Sequence, residues 1–226
     1  MGQGRVGTAP LRAWALVVGY VGVASALALL LFFALADPFG ANLRTWSWLG
    51  PANDVLSMVM VPAQTIAMVL LWHALRPAPV VAVLTGLTIV ALVAGAVVTG
   101  RMLAGEATLD TQFLFAIPMI VLMFATLLAA GLRVLRDRRH PTVIGRRTAR
   151  WAMITGGAGI AAMLLFALAY AFPAGSAGQL AFFIVGGVPG AVAYVGYPVW
   201  WLVLGLRQDA VTYLRTYEEE DAGRHR

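Results

Sequence analysis

From Trp151 to Leu206 the chain runs for 56 residues without one formally charged side chain. That is more than twice the roughly 20 apolar residues needed to cross a ~30 Å hydrocarbon core. It is too long for a single helix, and Pro173-Ala174-Gly175-Ser176-Ala177-Gly178 supplies the break, because proline and glycine clusters punctuate helices. Four further apolar runs precede it. Only helices or closed barrels satisfy their backbone groups in lipid, and runs of this length select helices. The expected fold is all-α: a polytopic membrane bundle of six helices at about 13–36, 55–75, 80–100, 111–132, 151–172 and 179–206. These make one transmembrane domain over residues 1–207, followed by a charged cytoplasmic tail over 208–226.

The charges orient this bundle. All 16 basic residues are arginine, a usage that fits GC-rich bacterial coding. Fourteen fall on the side of the two termini, against Arg44 and Arg101 on the other, so the positive-inside rule predicts both termini in the cytoplasm and a multi-pass protein of the cell membrane. Seven of the fourteen sit in one loop: Arg133, Arg136, Arg138, Arg139, Arg146, Arg147 and Arg150. Beside a bilayer they suit anionic lipid headgroups, at about 1 kcal/mol each. The formal charge of +6 is therefore assigned to insertion and lipid rather than to nucleic acid. Trp14, Trp72, Trp151, Trp200 and Trp201 near the inner helix ends, with Trp46 and Trp48 in the first outer loop, read as interfacial aromatic belts. Ala34-Leu35-Ala36 has the small-x-small form of a cleavage site. The 24-residue run before it exceeds the 7–15 of a signal peptide, so the first helix is expected to remain.

Motifs for chemistry are sparse. There is no cysteine, hence no thiolate nucleophile or disulfide exchange, and no lysine, hence no P-loop. Gly157 to Ala162 matches a dinucleotide fingerprint in letters only, because no strand precedes it. Ser176 sits in a turn and lacks the spacing of a nucleophile elbow. No acid or arginine interrupts the predicted spans, which argues against a proton relay or a voltage sensor. Metal and cofactor sites are not expected.

One pattern is internal. Each helix running from outside to inside carries a proline, Pro62, Pro118 or Pro189, and Asp54 and Asp110 each lie eight residues before one. Proline releases the carbonyl four residues back, here of Met58, Leu114 and Val185. Kinks at matching depth suit an outward-opening cavity, with Gln64 and Thr65 beside Pro62 as the candidate polar contacts. The competing structural reading takes Asp54 and Asp110 as helix N-caps and Gln64 as a bond between helices. Asp37, Asn53, Asp54 and Asp110 also make a conceivable divalent-cation site on the outer face. Gly156, Gly157, Gly159, Gly186, Gly187 and Gly190 read as surfaces packing the fifth helix on the sixth. The leading functional expectation is a non-enzymatic protein that binds lipid or a small molecule, or serves assembly, with a homo-oligomer or a membrane-protein partner allowed. A small transporter is the alternative, and an enzyme using the outer carboxylates comes third.

Overall fold

The computed structural model describes residues 8–36, 45–75, 78–136 and 144–206. They form six helices: α1 (Thr8–Leu35), α2 (Leu49–Ala74), α3 (Pro79–Leu103), α4 (Leu109–Arg136), α5 (Arg146–Ala169) and α6 (Ala177–Leu206). A 3-10 turn over Thr45–Trp48 leads into α2. All six are long and apolar enough to cross a membrane, as an integral membrane protein requires. Arg138, Arg139, Asp37 and the 208–226 tail lie outside the described residues.

Consecutive helices pack on one another and α6 closes back onto α1, so the bundle is a ring in chain order. Short links make neighbours antiparallel. At one end, here the terminal end, the Arg12 side chain donates to the Gly205 carbonyl at 3.1 Å, tying the start of α1 to the end of α6. The opposite, distal end carries the starts of α2, α4 and α6. The break between α5 and α6 falls where proline and glycine place it. Gly175 has φ +75°, Ser176 Oγ accepts from the Gln179 amide at 3.2 Å, and the Gln179 side chain accepts from the Gly175 amide at 2.8 Å. This is a variant of the reciprocal capping box.

Lipid gives helices no hydrophobic reason to associate, so close backbone approach must supply the attraction. Glycine provides it at most interfaces. A Cβ on Gly19 would lie 2.8 Å from the Leu202 amide of α6, and one on Gly131 would lie 2.6 Å from the Ala149 carbonyl of α5. Gly156 and Gly159 face α4 rather than α6, against Phe124 and Leu128, which corrects their expected partner. Gly186 does pack on α5, against Leu165 and Phe166, whereas a Cβ on Gly190 would find ordinary contacts of 3.5 Å or more and one on Gly157 open space.

Burial is uneven along the axis. In α2 nothing between Gly50 and Pro62 is buried, and in α4 nothing before Phe124. In α6 only Gly186 is buried before Ala193. Each stretch ends at or a few residues past the helix's proline, so Pro62, Pro118 and Pro189 mark the level where loose distal packing gives way to a tight terminal half. Trp200 and Trp201, expected in an interfacial belt, are fully buried in that half because ring closure brings α6 against α1 and α5.

Candidate functional site

At the proline level the ring is plugged by side chains. Gln64 of α2 is 0% exposed and donates from Nε2 to the Tyr197 hydroxyl of α6 at 2.7 Å. Phe124 of α4 meets Tyr197 edge-on at 5.9 Å between ring centroids. Tyr197 in turn meets Trp201 at 6.4 Å, and Trp201 packs on Trp200 at 4.8 Å. The Trp200 indole N–H donates to the Thr148 carbonyl of α5 at 2.9 Å, anchoring the plug. One turn of helix sets Tyr197, Trp200 and Trp201 on the inward face of α6. Helices α2, α4 and α6 thus meet through Gln64, Phe124 and Tyr197.

Above the plug, a chain of polar side chains crosses four helices. Ser25 Oγ of α1 donates to Asn53 Oδ1 at 2.7 Å and lies 3.1 Å from Ser57 Oγ. The side chains of Asn53 and of Gln112 on α4 lie beside the Asp54 carboxylate. Gln112 Nε2 also reaches Thr99 Oγ1 of α3 at 3.2 Å. Asn53, Ser57 and Gln64 lie on one face of α2, with Met60 between Ser57 and Gln64, so polar groups stand on that face near the distal end and again at the plug.

These positions revise several expectations. Asp54 is not an N-cap: α2 begins at Leu49, and Asp54 sits in its second turn inside a membrane-length helix. Spans free of acids therefore hold only for their central parts. Thr108, not Asp110, caps α4, accepting from the Thr111 amide at 3.3 Å, and Asp110 is an exposed first-turn acid facing the helix dipole. Gln64 is fully buried, while its neighbour Thr65 is half-buried. Pro62 and Pro118 do not line an interior space. Both are exposed, Pro62 in a stripe with Val55, Val59 and Ile66, and Pro118 beside Leu114 and Ile117; Pro189 is half-buried.

Among the described residues no three His, Cys, Asp or Glu side chains gather closely enough to hold a metal. Asp54 and Asp110 thus lack a third such ligand there. Of the loop arginines, Arg136, Arg146, Arg147 and Arg150 are exposed, and Arg133 is half-buried. Sequence reasoning did not single out Tyr197, Ser25, Thr99 or Gln112. Comparison with protein-family models, with curated proteins and with solved structures finds no match to this chain.

Proposed function

We propose that the protein is a non-enzymatic membrane protein that binds a small polar molecule in a cup opening at the distal end of the bundle. The positive-inside asymmetry assigns that end to the outer face. The observation that carries this reading is the change of packing at the proline level. Below it the ring is filled by Tyr197, Trp200 and Trp201; above it, among the described residues, polar side chains from Ser25 to Thr99 adjoin one another across four helices. Packed side chains resist entry, whereas exchangeable hydrogen bonds admit a competing polar ligand. The exposed loop arginines hold the opposite face on anionic lipid.

The absence of cysteine makes the test direct. Ser57→Cys should react with a membrane-impermeant maleimide added to the outside of intact cells. Ala152→Cys, in the tight half and 1% exposed, serves as the protected control. Equal protection at both positions overturns the cup.

A small transporter is the second reading, favoured by a specific feature of α6. Pro189 and Pro198 both interrupt its backbone bonding, one eight residues before Tyr197 and one directly after it, which makes α6 the most deformable wall. Under that reading, labelling of Leu204→Cys from the terminal side rises when labelling of Ser57→Cys falls.

A further inference from the structure

Two buried polar atoms at the plug have no hydrogen-bond partner: Gln64 Oε1 and Trp201 Nε1. Both flank one hydroxyl. Gln64 is bonded to Tyr197 through Nε2, and the Trp201 indole lies beside the same Tyr197 oxygen without forming a bond of acceptable geometry. The phenolic oxygen can donate or accept, so the amide can meet it in either orientation. Whichever end of Gln64 meets Tyr197, the other end is left over at 0% exposure. A buried amide without a second partner is among the costlier arrangements in a bundle that also lacks bulk water.

We propose that the Gln64–Tyr197–Trp201 cluster binds one neutral O–H group, held between the free end of the Gln64 amide and the Trp201 indole N–H. An O–H is bipolar: it accepts from the indole and either donates to the amide oxygen or accepts from the amide nitrogen. A group that only donates or only accepts cannot serve both amide orientations and the indole. Neutrality follows from the surroundings. On α2 the flanking titratable groups are Asp54, ten residues away and about 15 Å along the axis, and His73 on the other side. On α4 they are Asp110 and Arg133, each at least nine residues from Phe124, and α6 carries no acid or base, its titratable groups being the phenols of Tyr194 and Tyr197. A charge brought here would be desolvated without a counter-ion, at a cost that hydrogen bonds of this kind do not offset. The O–H belongs either to a water molecule or to the hydroxyl of the small molecule assigned to the cup. The inference rests on the cup as the route of entry.

Trp200 provides the internal control, since it is as buried as Trp201 but its N–H is bonded to Thr148. Pulsed hydroxyl-radical labelling of the full chain in lipid nanodiscs should oxidise Trp201 and Tyr197 several-fold faster than Trp200 if the O–H is water. If it belongs to a bound molecule, labelling stays slow, and native mass spectrometry from the nanodisc shows an uncharged adduct. In either case Gln64→Leu removes the signal. Trp201→Phe, which keeps an aromatic ring in the plug, removes the adduct or lowers Tyr197 labelling to the Trp200 level. Trp201 labelling no faster than Trp200, with no adduct, means a dry, close-packed plug and overturns the site. Reactivity of Ser57→Cys is read separately, so loss of the cup and loss of the O–H site are distinguished.

Discussion

Gly156 and Gly157 are adjacent on α5, yet alanine should have opposite effects at the two positions. A Cβ on Gly156 would lie 2.6 Å from the Leu128 amide nitrogen and 2.7 Å from the Phe124 carbonyl oxygen. Both are backbone atoms of α4, so no rotamer change relieves the clash. Reaching even a 3.4 Å contact requires α4 and α5 to separate along a seam that also includes Gly131 and Gly159. Overpacking of this kind costs about 1–3 kcal/mol, set against the ~1 kcal/mol that alanine gains over glycine in helix propensity. The steric cost wins because it spreads along the seam. At Gly157 nothing lies within 4 Å of the new methyl group, so only the propensity gain remains. Gly156→Ala should therefore lower the midpoint of unfolding in mixed micelles, and Gly157→Ala should leave it unchanged or raise it slightly. Equal midpoints for the two variants would refute the assignment of Gly156 to the α4 interface.

Trp200→Phe keeps the ring but removes the donor to the Thr148 carbonyl, and should cost about 1 kcal/mol by the same unfolding assay. Thr88→Val should cost less, about 0.6 kcal/mol, because Thr126 keeps its bond to the Leu122 carbonyl when its 2.9 Å contact with Thr88 is lost. Gly190→Ala should be tolerated, since its Cβ would meet Phe166 and Ala162 at ordinary distances; marked destabilisation would show that α5 and α6 approach more closely there. A reporter enzyme active only outside the cytoplasm should work when inserted at Gly105 and fail when fused after Leu206. The reverse pattern would invert the assigned sidedness.

The helices were legible because lipid demands long apolar runs, and their breaks lie where glycine and proline stand. Helix ends were less so: α2 starts six residues before Val55, at Leu49, where the 3-10 turn over Thr45–Trp48 leads straight into it. Gln64 was legible as an isolated amide in an apolar run. Its partner was not, since Tyr197 is 133 residues away and only ring closure brings the two together. Trp200 and Trp201 carry an interfacial signature by position along the chain, and nothing local distinguishes a belt tryptophan from one turned inward. The outward direction of Pro62 was available from its helical phase with Val55, Val59 and Ile66. The polar side chains spread over four helices were hidden, because Ser25, Asn53, Ser57 and Thr99 are small or common polar residues that nothing local sets apart.

The two halves of the ring differ in what a ligand must displace. In the distal half, entry competes with hydrogen bonds such as Ser25 to Asn53 and Gln112 to Thr99, and such bonds between membrane helices average ~0.6 kcal/mol. An incoming hydroxyl or amide can replace each one. Past Gln64, passage has to part Phe124 from Tyr197 and Tyr197 from Trp201, and to break the bond from Trp200 to Thr148. Aromatic pairs contribute about 0.5–1.5 kcal/mol each beyond their buried area, and Gly159 of α5 packs directly on the Phe124 ring. Pro62, Pro118 and Pro189 sit at the boundary, each depriving one carbonyl of its helix of the usual backbone donor. That difference in resistance favours reversible binding from one face over passage through the bundle, unless a ligand at Gln64 itself loosens Tyr197 from its aromatic neighbours.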